Sequence, residues 1–145
     1  MDLDALKADL IRDEGLRLRP YTDTAGKITI GVGRNLTDKG ISHEEAMALL
    51  SADIDEHVQL LDKYLPWWAR LDAQRQGVLA NMAFNLGVGP SDEQPHGKLL
   101  LFKSTLDAMA RGDYSAAAEG MAQSLWAKQV GPRAERLVAV MRGAA

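Results

Sequence analysis

The chain is predicted to be an α+β protein. A small N-terminal lobe built on an antiparallel β-hairpin or sheet is joined by a long helix to a mostly helical C-terminal lobe. Three observations predict this. β-branched residues mixed with glycines are concentrated in one stretch, Leu16 to Gly33. Nearly everywhere else apolar residues recur at helical spacing. A capping box at Ser42 to Glu45 then opens an apolar face that runs on through Leu61.

Leu3, Leu6, Leu10 and Ile11 share one helical face, so Leu3 to Asp13 reads as an amphipathic helix that Gly15 ends. Thr22, Thr24, Gly26, Ile28, Thr29, Ile30, Gly31, Val32 and Gly33 then predict a short, strongly turned antiparallel hairpin or three-stranded sheet. Ser42 as N-cap and Glu45 three residues on start a helix from His43 to about Asp62, and Ala46, Leu49, Leu50, Ile54, Val58 and Leu61 form its apolar face. At 1.5 Å per residue this helix spans ~30 Å, enough to tie two lobes together.

Pro66-Trp67-Trp68 breaks the pattern, and Asp72 caps a further apolar helix, Ala73 to Leu86, that stops at Gly87. Val88 to Gly97 reads as a loop from its Pro, Gly and charged residues. Helices follow over Lys98 to Ala110, over Tyr114 to Met121 behind an Asp113 cap, and from about Arg133 to Met141.

A length of 145 residues predicts one domain. Its sheet-containing lobe with the connecting helix is expected at about 12–60. The helical lobe is expected at about 61–145 together with the N-terminal helix. The chain has no cysteine, which excludes disulfides and thiolate metal sites. Its first residues are acidic where a signal peptide would be basic, and no apolar run approaches the ~20 residues of a membrane span. A net charge of −3 argues against a nucleic-acid partner. The charge is uneven: Lys128, Arg133, Arg136 and Arg142 face Glu135 alone at the C-terminal end. That end either favours an anionic polymer or caps the final helix. His43, His57 and His96 are separated by 14 and 39 residues, which is no ligand spacing, so no metal site is expected.

Glu14 ends the first helix and Asp23 heads the glycine-rich hairpin. Two carboxylates on different elements suit glycosidic hydrolysis, where one protonates the leaving oxygen and the other handles water or the oxocarbenium-like carbon. A solvated glutamate is the plain alternative for Glu14, although a carboxylate at a helix C-terminus is disfavoured by the helix dipole. An Asx-turn former is the plain alternative for Asp23, and an ordinary strand residue is that for Thr29.

The run from Glu14 to Gly33 decides between them. Glu, eight residues, Asp, five residues and Thr, set in EGLRL…Y.D..G..TIG.G, resembles the active-site segment of the phage-type lysozymes, or endolysins. Asn81 to Gly87 resembles that family's NM.F..G segment, Phe102 to Leu106 its F..SL segment, and Ser124 to Trp126 and Arg133 to Arg136 its S.W and RA.R segments. The resemblance covers about Leu6 to Arg142. It implies a single lysozyme domain with Glu14 as general acid, Asp23 activating water with inversion, and Thr29 fixing that water. It implies substrate contacts at Phe84, Thr105 and Asn35, and an Arg133 that pairs with the catalytic glutamate. Asn35 and Gly120 replace a Leu and an Asn of some relatives, and Arg34 replaces a histidine.

The implied activity is cleavage of the β-1,4 bond between N-acetylmuramic acid and N-acetylglucosamine in bacterial peptidoglycan, without a cofactor. The implied protein is a monomer with no stable membrane insertion. It is made in the host cytoplasm, reaches the periplasmic wall once the membrane is permeabilised, and lyses the cell at the end of a phage cycle. A transglycosylase or chitinase-like activity, a non-catalytic wall-binding module and membrane disruption by the cationic C-terminal segment are the competing readings.

Overall fold

The computed structural model describes residues 1–90 and 97–143. Its elements are α1 (Leu3–Glu14), β1 (Arg17–Thr22), β2 (Ile28–Gly31), β3 (Arg34–Asn35), α2 (His43–Tyr64), α3 (Ala73–Leu86), α4 (Lys103–Ala110), α5 (Tyr114–Ala122), α6 (Leu125–Val130) and α7 (Pro132–Arg142). Short 3-10 turns lie at Pro66–Arg70 and Leu99–Leu101. The expected α+β class, with a small antiparallel sheet ahead of a run of helices, is the class observed. The chain divides into two compact units, Met1–Leu49 and Leu50–Ala145.

In the first unit, the Asp2 carboxylate caps α1 by accepting from the Ala5 N–H at 3.0 Å. Gly15, at φ +80°, ends the helix one residue later than expected. The three strands order β1-β2-β3. Thr22 faces Ile28 and Tyr21 faces Thr29, then the register shifts before Arg17 faces Gly31. Pro20 lies inside that irregular stretch, where a residue without an N–H is tolerated on an edge strand. β2 and β3 turn through Gly31 and Gly33, both in the left-handed region at φ +69° and +70°, which glycine adopts without strain.

The capping box forms as expected. The Glu45 N–H donates to Ser42 Oγ at 3.0 Å, and the Ser42 N–H donates to Glu45 Oε2 at 2.8 Å. Glu45 has a second duty. Arg34 donates to both of its oxygens, at 2.8 and 2.7 Å, and so ties β3 to the first turn of α2. The Arg34 bonds first, and the Ser42 N–H second, hold the Glu45 carboxyl down at about 2.

The second unit has an apolar core. Leu79, Met82 and Ala83 on α3, Met121 on α5 and Met141 on α7 are fully buried, as is Leu61 near the C-terminus of α2. The Asp72 cap is present, its carboxylate accepting from the Arg75 N–H at 3.0 Å. Arg75 also fixes the last helix: Nε donates to the Met141 carbonyl at 2.8 Å, and the guanidinium lies 3.8 Å from the centre of the Tyr114 ring.

Two expectations need correction. Lys98 to Ala110 is not one helix. The N–H groups of Lys98 and Leu99 donate to the carbonyls of Leu86 and Gly87 at the end of α3. The segment then makes a 3-10 turn and breaks at Phe102 (ψ +52°) before α4 starts. The helix α6 was missed, although Ser124 caps it and Gly131-Pro132 separates it from α7. Those are ordinary stop and start signals, hidden by the short length between them. The expected loop from Val88 to Gly97 lies largely outside the described residues.

Glu45→Gln tests the Arg34 pair. A carboxyl held at about 2 against an ordinary 4.5 stabilises the fold above about pH 4.5 and loses that effect as pH falls toward 2. The variant is expected to melt below wild type at pH 7, with the gap closing between pH 4.5 and 2, as read from melting temperature against pH.

Packing of α4 on α5 gives a second test. A Cβ on Gly120 would run into Thr105 Oγ1, which is buried. Gly120→Ala is expected to cost about 1–3 kcal/mol in denaturant unfolding through overpacking. Thr105→Ala in the same chain is expected to restore most of it.

Candidate active site

Two of the expected groups of the first unit, Asp23 and Thr29, meet at one turn. Asp23 Oδ1 accepts from the N–H groups of Ala25 and Lys27, at 2.9 and 2.8 Å, and the Asp23 N–H donates to the Lys27 carbonyl at 2.8 Å. The Asx-turn reading of Asp23 is therefore correct for one of its oxygens. Oδ2 has no protein donor among the described residues. A half-buried aspartate can thus shape the loop with one oxygen and present the other for chemistry.

Thr29 is 3 % exposed, and its hydroxyl donates to the same Lys27 carbonyl at 3.1 Å. A carbonyl only accepts, so the hydroxyl proton is committed there and the oxygen's lone pairs are left to receive a donor. One backbone unit, that of Lys27, thereby sets both Asp23 and Thr29.

Glu14 stands exposed at the end of α1. Its Oε2 lies 3.3 Å from where a Cβ on Gly33 would be. Gly33 therefore serves two ends, the left-handed turn and the space beside the carboxylate. Sequence reasoning treated it only as hairpin glycine. Its fixed place at the end of TIG.G was the available signal.

Asn35 faces Thr29 across the β2–β3 pairing. Its amide is engaged locally: Nδ2 donates to Asp38 Oδ2 at 2.9 Å and Oδ1 accepts from the Asp38 N–H at 3.0 Å. Lys27 Nζ reaches the other Asp38 oxygen at 3.1 Å.

The remaining expected residues belong to the second unit, and the structure groups only two of them. Phe84 and Arg133 line a cavity of about 320 Å³ with Leu50, Ile54, His57 and Asn81 among its other walls. Phe84 is 43 % exposed rather than a core side chain, and it lies against the His57 ring with centroids 5.3 Å apart. Arg133 Nε and Nη2 both donate to Asn81 Oδ1, at 2.9 and 2.6 Å. Asn81 was read only as part of a motif, and its grip on Arg133 was missed. Trp126, of the S.W segment, donates from Nε1 to Asn85 Oδ1 at 2.9 Å. Thr105 does not join Phe84 and Arg133 in that cavity. It is 5 % exposed and packs against Gly120.

A family model described as Phage lysozyme matches residues 12–142, which takes in every candidate site residue named above. The chain belongs to the phage lysozyme family. Lysozymes are glycoside hydrolases, and the pattern that carries Glu14, Asp23 and Thr29 falls inside the match.

Three relatives frame it. The chain is 33% identical over 91% of its length to the pre-baseplate central spike protein Gp5 of Enterobacteria phage T4. It is 27% identical over 94% of its length to a probable T4-type lysozyme 2 of Dictyostelium discoideum, and 31% identical over 83% to the SAR-endolysin of Escherichia phage Mu. The matched region is 26% of the spike protein, 92% of the Dictyostelium protein and 66% of the endolysin.

Gly33→Ala probes the space beside Glu14, with Gly31→Ala as its control. Both positions have positive φ, so both variants carry the same backbone strain, roughly 1–2 kcal/mol. Only at Gly33 does the new Cβ meet Glu14, because nothing lies within 4 Å at Gly31. Wall hydrolysis measured well below either melting temperature is expected to fall in Gly33→Ala and to hold in Gly31→Ala.

Proposed function

We propose that this phage lysozyme family member is a muramidase. It hydrolyses the β-1,4 bond from N-acetylmuramic acid to N-acetylglucosamine in peptidoglycan, with inversion. The supporting observation is the junction at Lys27, which orients Thr29 as an acceptor and leaves Asp23 Oδ2 available. A water that donates one hydrogen to Thr29 Oγ1 and the other to Asp23 Oδ2 points a lone pair away from both. That lone pair attacks the anomeric carbon while Glu14 gives its proton to the departing glycosidic oxygen. Asp23 takes the proton of the attacking water, and a sugar with a new reducing end leaves. Asp23 is a base in this scheme and not a nucleophile.

Phe84 contributes an exposed aromatic face to sugar binding. Asn35 and Thr105 act through the shape of the substrate region, since Asn35 is held by Asp38 and Thr105 is buried. Arg133, oriented by Asn81, supports the acid. No metal or other cofactor enters the scheme. The working partner is peptidoglycan, and the protein acts as a monomer and a single lysozyme domain.

The cellular role that fits is lysis at the end of a phage cycle. The protein is made in the host cytoplasm and meets the wall when the membrane is permeabilised. Among the described residues no helix is long and apolar enough to cross a membrane. The apolar residues of α7 pack on the core, with Met141 fully buried, which speaks against membrane disruption by that segment. One observation favours a second role. The match to the T4 spike protein covers nearly all of this chain but only a quarter of that protein, as a wall-cutting module in a larger particle would. Cells making the protein in the cytoplasm with a pore-former separate the two roles. Lysis that depends on the pore-former supports the endolysin role. Its absence, with clearing from outside by the purified protein, supports the module.

Glu14→Gln is expected to keep the wild-type melting temperature and to abolish release of reducing ends from purified peptidoglycan. Proton NMR of the wild-type product is expected to show the α-anomer first, as inversion at a β-linkage requires. A β-anomer would mean retention and would remove Asp23 from the role of base. An anhydro product would identify a transglycosylase.

A further inference from the structure

The hairpin carries a charge balance opposite to that of the chain. From Gly15 to Thr37 stand Arg17, Arg19, Lys27 and Arg34 against Asp23 alone, in a protein of net charge −3. Arg34 is committed to Glu45, and Lys27 to Asp38. Arg17 and Arg19 are exposed and have no carboxylate partner among the described residues. An unpaired arginine three residues after the proposed general acid calls for a reason.

The strand register says where Arg17 stands. Arg17 faces Gly31, and Tyr21 faces Thr29. Cross-strand partners share a face, so Arg17, Tyr21 and Thr29 lie on one side of the sheet. The Arg17 guanidinium lies 4.4 Å from the centre of the Tyr21 ring. Stacking of this kind holds an arginine extended while leaving its in-plane N–H groups open to a ligand. Gly31 is two residues from Gly33, the glycine against which Glu14 lies.

We propose that Arg17, assisted by Arg19, is a subsite for the carboxylates of the peptide stems carried by the glycan strand. This rests on the muramidase reading above. The acetylated sugars of that strand are neutral and its lactyl groups are amide-linked, so negative charge on the polymer sits on the stems. A planar guanidinium binds a carboxylate by two parallel hydrogen bonds, which a sugar hydroxyl cannot match. The subsite gives preference for stem-bearing over bare glycan, on the same sheet face as the residue that orients the water.

The test reads binding, so that it stands apart from hydrolysis. Glu14→Gln protein, which leaves the ligand intact, is titrated by calorimetry with glycan fragments of equal sugar length, with and without tetrapeptide stems. The same titrations are repeated with Arg17→Gln/Arg19→Gln added. The preference for stem-bearing glycan is expected to fall roughly tenfold in the added variant, the size of two exposed ion pairs. Its salt dependence is expected to become shallower. No preference in the parent overturns the proposal, and so does a preference that the variant leaves unmoved. Equal loss on both ligands also overturns it, because the arginines would then serve the sugars or the fold. Loss of binding to a polyphosphate polymer with the stem preference unmoved would assign the pair to phosphate. Reducing ends from the wild-type protein are scored separately, and their absence would overturn the muramidase reading alone.

Discussion

The candidate chemistry of the first unit depends on the backbone of one residue, Lys27. The Lys27 N–H fixes an oxygen of Asp23, and the Lys27 carbonyl receives both the Asp23 N–H and the Thr29 hydroxyl. No side chain of Lys27 takes part. A loop bonded in this way has little freedom to change the separation of the carboxylate and the hydroxyl, because Asp23 is held to Lys27 by bonds to both its N–H and its carbonyl, and Thr29 bonds that same carbonyl. Preorganisation of this kind keeps reorganisation out of the reaction step. It also explains why the loop is short and carries a glycine: Gly26 closes it at φ +79°, a conformation most side chains resist.

Around this junction the fold uses side chains to join elements. Arg34 links β3 to α2 through a carboxylate that also caps the helix. Arg75 joins α3 to the end of α7. Asn81 does the same for Arg133 at the other end of α7. Each is an arginine gripping two groups at once, which a chain without disulfides needs more than one with them. None of these three partnerships has a spacing signal. Their members lie 11, 66 and 52 residues apart, so no local pattern announces them.

That contrast marks how far the sequence was legible. Caps were readable, because an N-cap depends on a few neighbouring residues: Ser42, Asp72 and Asp113 each begin a helix as their positions suggested. The break at Phe102 was not readable, because it follows from donors of Lys98 and Leu99 that turn to the end of α3. The same rule holds for the site. The candidate residues Glu14, Asp23 and Thr29 sit within one short run, so a motif could propose them together. The burial of Thr105 depends on a glycine fifteen residues on, and the local engagement of Asn35 on the fold of its own turn.

The place of α7 in the core has a consequence for synthesis. Ala134 and Met141 are buried in the second unit, and the Arg75 clamp closes on the Met141 carbonyl. That core cannot be completed on the ribosome until α7 has emerged from the exit tunnel. The contacts of the first unit are made among residues 1–49, all of which leave the tunnel earlier. A chain stalled before Met141 would carry an open apolar core in its second unit, which makes it a substrate for proteases and chaperones.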